Sequence, residues 1–94
     1  RNFIMSKKIK FLYCDGANDK WYFHIELSNE KLKSLEDKYG KLEEGSELLY
    51  DTDLGITQND FHENRGEEHD GFDHNTIEVF SLDVDENEIV TWKL

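Results

Sequence analysis

The chain has 94 residues and a net charge of −11. Its length indicates one small domain, because two separate cores would each bury too little apolar surface. Charged residues make up 35% of it, yet 2 Trp, 4 Tyr and 6 Phe are too many aromatic residues for a disordered chain. Residues 1–42 carry nine Lys or Arg against six Asp or Glu, whereas residues 43–94 carry two against sixteen, which argues against nucleic-acid and anionic-membrane binding and favours a basic partner.

The first residues and the cysteine content indicate where the protein works. The sequence has no run of twenty apolar residues, and residues 1–4 are too soon followed by Lys7 and Lys8 to form a signal peptide. We therefore expect a cytoplasmic protein with one domain over residues 5–94. We interpret residues 1–4 as left over from an expression vector or from upstream readthrough. Cys14 is the only cysteine, which fits a reducing compartment, and we expect its side chain in the core.

Two runs of alternating apolar residues predict a β-hairpin near the start of the chain. The apolar positions are Ile9, Phe11 and Tyr13 in the first run and Trp21, Phe23, Ile25 and Leu27 in the second. Residues 15–19 supply the Gly and Asn that a loop of about five residues needs. On the second strand we expect Trp21 and Phe23 in the core, and Tyr22 and His24 on the opposite face, where they are candidates for partner binding.

A helix and a short strand follow the hairpin. Ser28 is a good N-cap and Gly40 suits the position after a helix, which predicts a helix over residues 29–39. Its apolar positions at helical spacing are Leu32, Leu35 and Tyr39. The rest of its surface is charged, so we expect this helix to pack on one face of the sheet. Residues 48–50 form a short apolar run that is typical of a further strand.

The next segment is mostly polar. Thr57 and Asp60 have the spacing of a capping box, which predicts a turn of helix over residues 57–64 with Phe61 as its one apolar anchor. We expect a polar loop over residues 62–75.

The end of the chain predicts a second hairpin. The apolar phase shifts by one residue between Val79 and Phe80, which indicates a β-bulge. Residues 85–88 then form a predicted turn into a last strand with apolar residues at Val90, Trp92 and Leu94. The expected fold is α+β: a small antiparallel sheet of about four to five strands in two hairpins, with one main helix on one face.

Carboxylates two residues apart are the main candidates for partner binding. In an extended strand such pairs lie on one face about 6.8 Å apart, near the separation of backbone phosphates, so a row of them could imitate a nucleic acid. The wet face of an ordinary antiparallel strand gives the same pattern. The candidate residues are Asp51, Asp53, Asp60, Glu67, Glu68, Asp83, Asp85, Glu86 and Glu88, together with Tyr22 and His24.

A second candidate is a divalent metal site, because three of the four histidines lie among carboxylates within residues 62–74. Zinc sites in proteins use His and carboxylate ligands. The candidate ligands are His62, His69, Asp73 and His74. Their spacing differs from the HExxH pattern of a zinc-binding helix, and Gly66 and Gly71 disfavour a helix there, so a solvated acidic loop explains the same residues.

The function classes can now be ranked. Catalysis is disfavoured because no nucleophile motif or phosphate-binding loop is present, and Arg1 and Arg65 are the only arginines. The leading interpretation is an inhibitory or partner-binding protein, of the immunity, antitoxin or phage anti-defence type, that covers a basic protein surface. A metal-binding or metal-assisted hydrolytic domain and a small-ligand-binding module remain alternatives.

Four short segments resemble, in order, the landmarks of a small family of uncharacterised bacterial domains. They are Asp-Gly-Ala-Asn-Asp-Lys at 15–20, Glu-Gly-Ser-Glu at 44–47, Leu-Gly-Ile at 54–56 and Asp-His-Asn-Thr-Ile-Glu at 73–78. The family has an Asp-Gly-x-Asn-x-Lys turn, an Asp-Gly-Glu segment after a helix, a Gly-Leu-Pro step and an Asp-His-x-Trp-His-Glu run. This chain has Thr57 in place of the Pro, and Thr76 and Ile77 in place of the Trp and His. The family has no known activity, so the resemblance implies only the single-domain boundaries. It also singles out Asp73, His74 and Glu78 from the other polar residues of this part of the chain.

Overall fold

The computed structural model describes residues 6–14, 19–65 and 75–94. These residues form β1 (Ser6–Cys14), β2 (Lys20–Ser28), α1 (Asn29–Tyr39), β3 (Glu47–Leu49), α2 (Gln58–Arg65), β4 (Thr76–Ser81) and β5 (Trp92–Lys93). The strands make one open sheet in the order β3-β4-β1-β2-β5. The predicted α+β class and the number of strands are confirmed.

The first hairpin is confirmed together with the direction of its side chains. β1 and β2 pair antiparallel from Ser6 with Ser28 to Cys14 with Lys20. Phe23 is buried and Trp21 packs partly buried against the core, whereas Tyr22 is 44% exposed. The loop predicted between the strands lies mostly at residues 15–18, outside the described residues.

The two helices cover the same face of the sheet. The Ser28 side chain accepts a hydrogen bond from the Lys31 amide at 3.1 Å, and Gly40 ends α1 with φ 87°, so the predicted bounds of this helix are confirmed. Thr57 caps α2 by accepting from the Asp60 amide at 3.1 Å. This helix continues to Arg65, so residues 62–65 are helical and do not belong to the expected polar loop. Residues 66–74 of that expected loop lie outside the described residues.

The predicted bulge lies in β4. Lys10 pairs with Ser81 and Phe11 with Val79, which leaves Phe80 without a partner on β1. The bulge therefore sets both Phe80 and Ser81 opposite Lys10, and Leu82 returns to pack partly buried against the core. The one-residue shift of the apolar pattern has this origin.

The predicted second hairpin is wrong. β5 lies at the far edge of the sheet and pairs parallel with β2, joining Ile25 with Trp92 and Glu26 with Lys93. β4 already lies between β1 and β3, so neither of its sides is free for a returning strand. Residues 82–91, which we call the crossover segment, instead carry the chain past β1 and β2.

The buried apolar side chains form one core between the sheet and the helices. Tyr13, Tyr50, Phe11 and Phe61 are its largest fully buried members. Cys14, which we expected in this core, is exposed, because it follows buried Tyr13 on the strand and therefore points to the other face. Neither helix of the described chain is long and apolar enough to span a bilayer.

Candidate functional site

The sheet face opposite the helices, here called the open face, carries polar and aromatic side chains beside the crossover segment. Lys8 Nζ holds this segment in place by donating to the Glu86 carbonyl and, at 2.8 Å, to the Glu88 carbonyl. His24 Nε2 lies 3.6 Å from Glu88 Oε1. These contacts bring the acidic end of the chain against β1 and β2.

Two aromatic rings stand exposed on the open face. Tyr22 and Phe80 are each 44% exposed, and their ring centroids lie 4.9 Å apart at an interplanar angle of 73°. Lys10 Nζ lies over both rings, 4.9 Å from the Tyr22 centroid and 5.4 Å from the Phe80 centroid. Both distances are within the range of a cation–π interaction. We call Tyr22 and Phe80 the aromatic pair.

A groove of about 300 Å³ separates the open face from the crossover segment. Its lining residues are Lys10, His24, Phe80, Ser81, Asp83, Val84, Asp85 and Glu88. Four residues predicted for partner binding thus line one groove, and a fifth, Tyr22, contacts its Phe80 wall. Glu86, also predicted, is exposed on the same segment. We call this feature the crossover groove.

Asp51 and Asp53 do not form the predicted strand row, because the chain turns there. The Gly55 amide donates to the Asp51 carbonyl at 2.9 Å, and Asp53 is only 7% exposed. Burial alone would raise the pKa of Asp53, but hydrogen bonds from Lys38, Tyr39 and the Leu49 amide hold that pKa below its ordinary value. Asp53 is a structural residue of the interior, and its carboxylate is not accessible to another protein. The prediction that it takes part in partner binding is therefore wrong.

Asp51 and Asp60 are also engaged within the chain. Both oxygens of Asp51 accept from Asn75 Nδ2 at 3.2 Å, and Asp60 Oδ2 accepts from Trp92 Nε1 at 2.8 Å. Both side chains remain partly exposed. Their hydrogen bonds join distant segments, so each has a structural role that the sequence pattern did not reveal.

His62 lies in the interior, 1% exposed, and not on an acidic loop. Its Nδ1 accepts a hydrogen bond from Arg65 Nε at 3.1 Å, and the Arg65 guanidinium stacks over Trp21 at 4.4 Å. A permanent cation at Nδ1 opposes metal binding through that atom.

The other predicted ligands, His69, Asp73 and His74, lie outside the described residues, as do Glu67 and Glu68. In the part of the chain that the structure describes, no three His, Cys, Asp or Glu side chains are grouped as metal ligands. The divalent metal site stays a prediction.

A second groove of about 270 Å³ lies at the other end of the open face. Its lining residues are Leu12, Cys14, Glu47, Thr76, Ile77 and Glu78. Glu78, singled out by the family resemblance, is half-buried there. This groove contains one carboxylate on β3 and one on β4, but none of the exposed aromatic rings.

Sequence reasoning missed Lys10 and Phe80 as members of the crossover groove. The phase shift at Phe80 was the signal that could have found them, because a bulge redirects side chains and often lies beside a functional site. Comparisons of the chain with models of protein families, with curated proteins and with solved structures found no match.

Proposed function

We propose that this protein binds and covers a basic surface of a partner protein with its open face and crossover segment. The observation that carries the proposal is the position of four exposed carboxylates beside an exposed aromatic pair. These carboxylates belong to Asp83, Asp85, Glu86 and Glu88. Aromatic anchors surrounded by a charged rim are typical of protein interfaces.

The distribution of charge supports a cationic partner. Residues 43–94 contain sixteen of the chain's Asp and Glu residues and only two Lys or Arg. Such a surface accelerates encounter with a basic protein by long-range attraction, and it repels competing anions such as nucleic acids. Immunity, antitoxin and anti-defence proteins are partner-covering proteins of the kind that this surface would suit.

The geometry does not favour phosphate imitation by regular strand spacing. The Asp51 and Asp53 pair lies in a turn, and Asp83, Asp85, Glu86 and Glu88 lie between β4 and β5, outside both strands. Their carboxylates surround a groove with apolar walls at Phe80 and Val84. Insertion of a basic side chain suits this shape better than docking of a flat nucleic-acid-binding surface.

The test compares two charge-neutralised variants with the wild type. One variant replaces the crossover carboxylates: Asp83→Asn, Asp85→Asn, Glu86→Gln and Glu88→Gln. The matched control removes the same number of charges at exposed sites on α1 and the loop after it: Glu30→Gln, Asp37→Asn, Glu43→Gln and Glu44→Gln. Isothermal titration calorimetry measures the affinity of a hexa-arginine peptide for each protein at about 20 mM and about 200 mM NaCl.

We expect the wild type to bind hexa-arginine with an affinity that falls at the higher salt concentration. The crossover variant should lose at least about tenfold in affinity, and the control variant less than about threefold, because contact charges contribute more than remote ones. Equal losses in the two variants would show that net charge alone attracts the peptide, and no binding to the wild type would also contradict the proposal.

A further inference from the structure

We infer that the crossover groove receives one arginine side chain of the basic partner, which takes the place of Lys10 over the aromatic pair. This inference rests on the proposed function and names the chemistry of its central contact. It follows from three features of the described residues: the ring geometry, the weak attachment of Lys10, and the carboxylates on the opposite wall.

The aromatic pair already holds a cation, which is the ammonium of Lys10. That nitrogen lies 4.9 Å and 5.4 Å from the two ring centroids, close enough for the ring faces to attract it. The site formed by Tyr22 and Phe80 therefore accepts positive charge, and the chain's own lysine shows where such a charge lies.

Lys10 is held there weakly enough to be displaced. Within residues 6–14, 19–65 and 75–94, the ion pairs join His24 with Glu88 and Lys38 with Asp53, and none involves Lys10. A lysine side chain is long and flexible, and its strongly hydrated ammonium gains from returning to water. A cation of the partner can thus replace Lys10 over the rings without breaking an ion pair among the described residues.

The groove fits a guanidinium better than a second ammonium. Its volume of about 300 Å³ is bounded by Phe80 on the sheet side and by Asp83, Asp85 and Glu88 on the crossover side. A guanidinium is planar and weakly hydrated, so one face can stack on a ring while its edge donates to carboxylates. An ammonium is a compact charge that cannot do both equally well. Arginine is therefore the expected anchor.

The bulge in β4 supplies the ring that this contact needs. Phe80 is the extra residue between the Phe11–Val79 and Lys10–Ser81 pairs, and its ring is left 44% exposed against Tyr22. An apolar ring on the wet face of a sheet is unfavourable unless it packs against something. A stacked guanidinium from the partner would cover it.

The experiment compares hexa-arginine and hexalysine as probes of equal charge, with substitutions in and beside the groove. Lys10→Met removes the internal cation, and Lys7→Met is its matched control, because Lys7 is an exposed lysine on the same strand and its removal changes the net charge equally. Phe80→Leu and Tyr22→Leu remove one ring each from exposed positions, so the fold should persist, which the amide NMR spectrum verifies.

We expect Lys10→Met to tighten hexa-arginine binding about threefold more than Lys7→Met does, because only Lys10 competes for the rings. Each ring substitution should weaken hexa-arginine binding about fivefold and change hexalysine binding less. Intermolecular NOEs should join arginine side-chain protons to the Tyr22 and Phe80 rings.

The outcomes separate this inference from the proposed function. The arginine anchor is wrong if hexa-arginine and hexalysine bind equally, if Lys10→Met and Lys7→Met have the same effect, or if the ring substitutions leave binding unchanged. In each of these cases, a loss of binding in the crossover variant would still support a cationic partner. If hexa-arginine does not bind the wild type at all, both the basic partner and the arginine anchor are contradicted.

Discussion

Lys38 Nζ donates to Asp53 Oδ1 at 2.7 Å and so joins the last turn of α1 to the turn that follows β3. The Tyr39 hydroxyl and the Leu49 amide donate to the other oxygen of Asp53. The Asp53 side chain is 3% exposed, whereas that of Lys38 is 56% exposed. One buried carboxylate therefore connects three parts of the chain, and the two partners of the ion pair should differ in their importance for stability.

Removal of Asp53 should destabilise the protein more than removal of Lys38. Asp53→Ala leaves the part-buried Leu49 amide without its side-chain acceptor, which costs about 1–3 kcal/mol. Lys38→Met removes a cation that is largely exposed to solvent, so its cost should be clearly the smaller of the two. Urea denaturation of each variant measures both values. Equal losses would show that the ion pair, and not the buried hydrogen bonds, contributes most of the stability.

The same contact should make stability fall at acid pH. The pKa of Asp53 lies below its ordinary value of 3.8, because the hydrogen bonds from Lys38, Tyr39 and Leu49 outweigh the effect of burial. A carboxylate whose pKa is lowered in the folded state makes its full contribution to stability at any pH above its unfolded-state pKa. This contribution is lost as the pH falls through the folded-state pKa. Urea denaturation from pH 7 to about pH 2 should thus show the stability gap between wild type and Asp53→Asn narrowing below about pH 4.

The contribution of the Lys38 ammonium to stability should not change with pH over the physiological range. Hydrogen bonding to Asp53 raises the pKa of Lys38 above 10.5, so its contribution is complete below that pH and is lost only as the pH rises through the raised value.

Asp37→Asn, at an exposed carboxylate on the same helix, serves as the control for the acid experiment. A gap between wild type and Asp53→Asn that stays constant down to pH 2 would contradict the role given to Asp53.

Local patterns predicted the elements whose contacts are close in sequence. β1, β2 and α1 follow one another, and the spacing of Phe11, Tyr13 and Phe23 within runs of apolar residues at every second position is enough to define the buried sides of the two strands. The last strand could not be predicted in the same way. Its position depends on Trp92, which bonds to Asp60 across 32 residues, and no local pattern records such a contact.

The candidate site was predictable only in part for a similar reason. Exposed Asp83, Asp85 and Glu88 share a segment of charged residues, so composition alone indicates them. Asp53 and His62 look equally polar in the sequence, but the turn after β3 and the helix α2 carry them inward, where Lys38 and Arg65 bind them. Burial of a polar side chain depends on a partner that is distant or on another face, which sequence spacing does not reveal.

The hydrogen bond between Asp60 and Trp92 should hold β5 on the sheet. Asp60→Ala leaves the indole N–H without its acceptor and should cost about 1–2 kcal/mol. Amide hydrogen exchange gives the local readout, because the Thr91 and Leu94 amides donate to β2 at 2.8 Å. These two amides should exchange faster in the variant relative to the amides that join β1 and β2. Asp83→Ala, at an exposed carboxylate that makes no such bond to Trp92, should leave their relative protection unchanged; uniform acceleration of all amides in Asp60→Ala would contradict a local role.

Cys14 should react with a maleimide in the folded protein, because its side chain is exposed at the end of β1. A cysteine in the core would react only after unfolding, so mass spectrometry of the labelled protein over time distinguishes the exposed position from the core position that the sequence suggested. Cys14→Ser should change the free energy of unfolding by less than about 0.5 kcal/mol, as is usual for a surface substitution. Labelling that requires urea, or a Cys14→Ser variant destabilised by several kcal/mol, would place this side chain inside the protein and contradict the observed direction of residue 14 on β1.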